Sequence, residues 1–197
     1  MKIIAVTGGS GCGKTFFTKL LVGRLSKSVV LPLDSYYFDK PEKILNCEYD
    51  FDSPKAFDFN LFRLHLERLF YGNSIQKPNF CYDSGKRLAS CTLLKPEEYL
   101  IIEGLHVLLY PDIRDKVSFS FYLESPLDVA VSRRCLRDIK EQSVTAEHSI
   151  NQYLKFVRPV FFDLIQPTKK FANLVVENKL DSRLDLFIDN YLAENIL

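Results

Sequence analysis

The chain has 197 residues, 47% hydrophobic and 26% charged, with a formal net charge of +1. That length holds one domain with a substantial core, and the near-zero charge excludes a broad nucleic-acid footprint or an acidic-surface binder. There is no apolar run of about 18 residues to span a membrane as a helix, and five cysteines (Cys12, Cys47, Cys81, Cys91, Cys135) without CxxC spacing read as reduced thiols of a cytosolic protein, not a disulfide frame or zinc site.

In chain order, "KIIAVTG" (2–8) is mostly β-branched and lacks polar alternation, which predicts a strand buried on both faces. Glycine interrupts "MKIIAVTGG" too soon for a signal peptide. A helix is expected from about Lys14 to Ser26, with Phe17, Leu20, Leu21 and Leu25 on one stripe. "VVLPLD" (29–34) reads as a strand whose Pro32 demotes it from a central position or marks an irregularity. Residues 35–55 show no sustained period, and a loop of that length is usually functional. A helix follows from Ala56 to Tyr71, stopped by Gly72-Asn73. "YLIIEG" (99–104) and "VSFSFYLES" (117–125) read as strands, and residues 126–141 as a helix opened by proline. Residues 147–165 predict a helix bent or broken at Pro159. "NLVVEN" (173–178) is the last strand, and Ser182 is placed to cap a final helix. The alternation predicts a single α/β domain over 1–197, with a mainly parallel five-stranded sheet and helices on both faces.

Gly8-x-x-x-x-Gly13-Lys14-Thr15 fits the phosphate-loop pattern GxxxxGK[ST], with a strand before it and a helix after it. Glycines let successive backbone N–H groups of Gly8, Gly9, Ser10, Gly11, Cys12 and Gly13 point at phosphate oxygens. The helix start adds its positive dipole end. In this pattern Lys14 neutralises the β- and γ-phosphates of ATP and the Thr15 hydroxyl ligates Mg²⁺. Asp34 and Glu103 each end a predicted strand, on the edge where open α/β sheets bind ligands. Asp34 is a candidate to take a proton from an attacking hydroxyl, to hold Mg²⁺, or both; Glu103 is the better metal-side acid. Each has the competing reading of a turn or helix cap. Arg133, Arg134 and Arg137 share one side of the predicted helix. They read either as a solvated face or as cations that cover a transferring phosphoryl group, a role favoured for Arg137 and left open for Arg133.

These segments resemble the uridine kinase (uridine–cytidine kinase) family, within the group containing phosphoribulokinase and pantothenate kinase. "GGSGCGKT", "LDSYY" (33–37), "YDFDSPKAFD" (49–58), "IIEG" (101–104), "RRCLRD" (133–138), "QYLKFVRP" (152–159) and "PTKKFANLVV" (167–176) follow in that family's order. The resemblance implies a P-loop kinase fold and ATP- and Mg²⁺-dependent phosphorylation of a nucleoside 5′-hydroxyl in pyrimidine salvage. It implies Asp34 as general base, acting with Lys14 and the lid arginine Arg137, and Thr15, Asp34 and Glu103 around the metal. Asp52 matches the carboxylate that holds the ribose hydroxyls, with Tyr37 and Phe51 shaping the pocket. Arg134 matches a substrate-side arginine and Gln152 a glutamine after the lid. Segments 35–56 and 78–98 are then substrate-side loops, and about 138–148 the lid. The partners implied are ATP and a nucleoside-like acceptor, with no nucleic acid or membrane, in a cytoplasmic protein that is a possible homo-oligomer by family resemblance.

The chain also departs from the family pattern. Gln142 and Val144 stand where two lid arginines are usual. In "PNFCYDSGKR" (78–87) a gap-free alignment puts Phe80 at the base-reading tyrosine and Gly85 at the histidine, while a two-residue slip recruits Tyr82 and Asp83. His65 reads as structural and His106 as a weak site candidate. Cys12 lies where loop amides can lower a thiol's pKa, without an expected catalytic role. A related kinase with another alcohol acceptor, and a nucleotide-binding regulatory protein with little turnover, remain as alternatives.

Overall fold

The structure, a computed structural model, describes residues 1–45, 48–142 and 144–195, with the side chains of Gln142 and Asn195 also outside the description. Five strands form one parallel sheet in the order β2-β5-β1-β6-β7. They are β1 (Lys2–Gly8), β2 (Ser28–Pro32), β5 (Tyr99–Glu103), β6 (Phe119–Glu124) and β7 (Leu174–Glu177). The central β1 is buried from Ile3 to Gly8, which is why it carries no polar alternation. Pro32 sits on β2, an edge strand with β5 as its only neighbour in the sheet, where a missing N–H is tolerated.

Alternate side chains of β1 enter two separate cores. Ile3 and Ala5 pack with Leu31, Ile102 and the Phe62, Leu66 and Leu69 face of α2 (Phe59–Phe70). Ile4 and Val6 pack with Phe17 and Leu21 of α1 (Lys14–Arg24) and Ile188 of α7 (Leu184–Asn195). Helices therefore cover both faces of the sheet. No helix among the described residues is long and apolar enough to cross a membrane.

Several elements differ from expectation. Segment 78–98 is not a loop. Most of it belongs to an antiparallel hairpin of β3 (Ile75–Cys81) and β4 (Lys86–Leu94), irregular between Pro78 and Phe80. Its turn closes on Gly85 at φ 64. Nearly all of β4 is exposed, so no alternation betrays it in the sequence. Helix α2 starts at Phe59 because Asp58 caps it, accepting from the Leu61 N–H at 3.0 Å; Pro54–Ala56 is a separate 3-10 turn. A one-turn helix α3 (Pro111–Arg114) and the long α4 (Leu127–Gln142) precede the segment expected to bend or break at Pro159. That segment does not break. It runs as α5 (Ala146–Gln152), a π turn (Tyr153–Val157), α6 (Arg158–Val160), a second π turn (Phe161–Ile165) and a 3-10 stretch to Phe171. The wide turns take up the donor that Pro159 lacks. Ser182 does not cap α7; its hydroxyl accepts from the Lys179 N–H and donates to the Glu177 carbonyl.

Candidate active site

The register of the sheet sets Val6 and Pro32 beside Glu103, and Gly8 beside Leu123. One carboxyl edge thus carries the loop after β1, the turn after β2 and the end of β5, as ligand sites of open α/β sheets do. In the loop, Gly11 (φ 78) leaves no room for a Cβ, which would lie 2.1 Å from the Ala130 carbonyl. Gly13 (φ 94) opens α1 with no side-chain cap among the described residues. The first amides of α1 therefore face outward as an anion site, with no acidic residue in the first turn to compete. Lys14 Nζ donates to the Gly9 carbonyl at 3.0 Å, which lays the ammonium along the loop. Asn178 braces the loop from behind, donating to the Cys12 carbonyl at 2.8 Å. Cys12 corrects an expectation: burial pushes its thiol pKa up, outweighing Lys14 and the loop amides. It lines a cavity of about 100 Å³ with Gly9, Tyr122 and Phe161.

Thr15 Oγ1 donates to Glu103 Oε1 at 2.8 Å. Burial raises the Glu103 pKa and the nearby Asp34 adds to it, while Lys14 opposes. Asp34 lies in the first turn of a 3-10 helix (Leu33–Tyr36) directly after β2, and accepts from the Tyr82 hydroxyl at 3.0 Å. No group of three or more His, Cys, Asp or Glu among the described residues could hold a metal by itself. One hydroxyl and two carboxylates nevertheless suit Mg²⁺, which takes one or two carboxylates and completes its shell with water and substrate phosphates.

Asp52, expected on the acceptor side, is 5% exposed, with Oδ2 3.8 Å from Arg134 Nη1. Burial raises its pKa, and Arg134 counters. Arg134 also donates to Ser10 Oγ at 2.8 Å, linking Asp52 to the glycine loop. Tyr37, Phe51, Phe80 and Tyr82 form one aromatic cluster, with Phe80–Tyr82 centroids at 5.4 Å and Tyr37–Phe51 at 5.6 Å. Both alignments of 78–87 thus point to rings in the same cluster. Arg137 lies within electrostatic reach of Asp34 and Tyr82. Burial works against its charge, but Asp138, Tyr82 and Asp34 together outweigh this and raise its pKa. Arg133 turns away, donating to the carbonyls of Asn178 and Lys179 at 3.2 and 2.9 Å, so the three arginines do not share one side. Gln152 is half-buried at the end of α5. The expected lid crosses Ser143, which lies outside the described residues, as does the side chain of Gln142.

A model of the phosphoribulokinase/uridine kinase family matches residues 3–184. The chain belongs to that family. This family member is 37% identical to a uridine kinase of Clostridium perfringens over 177 residues, which cover 88% of this chain and 85% of that protein. It is 33% identical to a uridine kinase of Clostridium tetani over 196 residues, 95% of this chain and 93% of that one. The solved structure of a possible uridine kinase from Bacillus stearothermophilus shares the fold at 16% identity, with a TM-score of 0.61 over 88% of this chain and 87% of that chain.

Sequence reasoning missed two residues that shape this kinase-family site, Asp138 and Arg87, and underweighted His106. Asp138, 2% exposed, accepts from Arg137 Nη2 at 3.0 Å and Ser149 Oγ at 2.7 Å, and lies 3.3 Å from Arg134 Nε. Its place four residues after Arg134 was the available signal. Arg87 of β4 donates to the Tyr37 carbonyl at 2.7 Å and to Asp58 at 3.1 Å, strapping the hairpin to the turn that holds Asp34. Nothing local in the sequence marks it. His106, held only as a weak candidate, is wholly buried against the backbone of Asp52.

Proposed function

We propose that this chain is an ATP-dependent nucleoside kinase that transfers the γ-phosphoryl group to the 5′-hydroxyl of a uridine- or cytidine-like ribonucleoside. The observation that carries the reading is Asp52. A buried carboxylate follows Phe51 of the aromatic cluster, lies within electrostatic reach of Tyr37, and is joined through Arg134 to the phosphate loop. A carboxylate so placed suits two vicinal ribose hydroxyls, and the rings suit a planar base.

In this reading the amides of residues 8–15 and Lys14 hold the ATP phosphates. Thr15, Asp34 and Glu103 hold Mg²⁺, which when bound neutralises charge on the phosphate oxygens. Asp34 accepts the proton of the acceptor hydroxyl as its oxygen attacks phosphorus in line. Arg137, with Arg134 beside it, supplies positive charge where negative charge builds on the transferring group. Tyr37, Phe51, Phe80 and Tyr82 enclose the base, and Gln152 stands on the helix beyond the lid at 138–148. In this reading the chain works as one kinase domain in the cytoplasm, in pyrimidine salvage, without nucleic-acid or membrane partners.

The deciding experiment is a panel of ribonucleosides, 2′-deoxynucleosides and other alcohols with ATP and Mg²⁺, read by product mass. Ribonucleoside monophosphates are the expected products. Deoxy forms should be markedly poorer acceptors, because the missing hydroxyl leaves Asp52 unpaired. Activity only on an acceptor without ribose, or ATP binding with no transfer, would overturn the proposal.

A further inference from the structure

Tyr82 opens the turn between β3 and β4 and reaches the carboxylate proposed as base. Its hydroxyl donates to Asp34 Oδ2 at 3.0 Å, and the Tyr37 hydroxyl is hydrogen-bonded to it in turn. Its ring is held from three directions, by Phe80, Tyr37 and Phe51 at centroid distances of 5.4, 5.7 and 6.2 Å, all steeply inclined. The phenol is therefore a rigid arm whose tip has little choice of direction.

Asp34 needs such an arm. A carboxylate's terminal torsion is broad and twofold, so an unrestrained aspartate points either oxygen anywhere on an arc. Asp34 stands in a short 3-10 turn after an edge strand. A hydrogen bond to one oxygen stops the rotation and presents the other. Phosphoryl transfer has little covalent chemistry for the protein to do, so a misaimed base costs rate directly.

We propose that Tyr82 is a positioning residue for phosphoryl transfer: by holding Oδ2 of Asp34, its hydroxyl keeps Oδ1 turned to the acceptor hydroxyl. The hydroxyl thus joins the aromatic rings around the acceptor to the group that activates it. This rests on the nucleoside kinase reading with Asp34 as base.

The test is Tyr82→Phe, which keeps the ring and removes only the hydroxyl. Loss of one hydrogen bond to a charged group should lower kcat about tenfold, with the acceptor KM and the ATP Kd held within about twofold. In an Asp34→Asn background, where no carboxylate is left to aim, the same change should cost at most about twofold. An equal loss in both backgrounds, or a raised KM with kcat retained, makes Tyr82 a wall of the pocket and overturns the proposal. A gain in kcat/KM through a lower KM makes the hydroxyl an obstacle to the acceptor and overturns it too. A wild-type chain inactive on every nucleoside overturns the reading beneath; an active wild type with an unimpaired Tyr82→Phe overturns the role of Tyr82 alone.

Discussion

The backbone carbonyl of Asp52 lies 2.7 Å from Nε2 of His106, a contact between residues 54 apart in the chain and wholly buried on the His106 side. A carbonyl only accepts, so Nε2 carries the proton. Burial pushes the His106 pKa down to about 4, the imidazole is neutral, and Nδ1 is a bare acceptor without a partner among the described residues. His106 follows Glu103 closely, so this one bond ties Asp52 to the strand end that carries Glu103.

The burial of His106, which outweighs the opposing bond to Asp52, gives the fold an acid sensitivity of known sign. The folded pKa lies below the ordinary value of 6.5, so between the two the unfolded chain binds more protons. Stability from this group is complete above about pH 6.5 and falls as pH drops toward 4, by about 2 kcal/mol at pH 5. Melting curves of wild type and His106→Asn at pH 7 and pH 5 check it. The wild type should lose more on acidification than the variant, since buried carboxylates such as Asp52 and Glu103 are common to both. Equal losses would remove His106 as the cause.

Lys14→Ala should leave the fold intact, because its one hydrogen-bond partner among the described residues is the Gly9 carbonyl. ATP affinity should fall by about 1.5–3 kcal/mol, roughly ten- to a hundredfold, through the lost charge-assisted contact. Calorimetric titration with ATP measures this directly. An unchanged Kd in a folded variant would contradict the phosphate-loop role.

Asp34→Asn separates chemistry from binding. Turnover should fall by about a hundredfold or more while ATP affinity changes far less. Because Asp34 neighbours Glu103, the Mg²⁺ dependence of turnover should be titrated in parallel. Near wild-type turnover would exclude Asp34 as base.

Asp138 should matter for both stability and rate. Asp138→Asn strips the counter-charge from the half-exposed Arg137 and from the buried Arg134, where breaking a buried pair costs about 3–5 kcal/mol. Turnover should drop with it, since both arginines lose their aim. Ser149→Ala is the control: it removes the 2.7 Å bond to Asp138 but neither ion pair, and should cost about 1 kcal/mol with kcat unchanged. Matching kinetic losses in the two variants would show that general softening of α4, not arginine placement, sets the rate.

The sequence by itself determined the elements whose signal is local. The unalternating run of β1, the glycine loop before Lys14 and Thr15, and a carboxylate at or just past each of two strand ends were all legible, because a buried parallel strand and a phosphate loop are each specified within about ten consecutive residues. Pro32 even announced the edge. Only the tertiary structure decided what distant segments do to one another. It paired an exposed β4 with β3, passed Pro159 through π turns, sent Arg133 away from Arg134 and Arg137, and gathered both arginines on Asp138. It also brought Tyr82 to Asp34 across 48 residues and His106 to Asp52 across 54. Such contacts leave no period in the sequence. They arise from strand order and loop closure, which place side chains by the packing of the whole sheet and not by their neighbours in the chain.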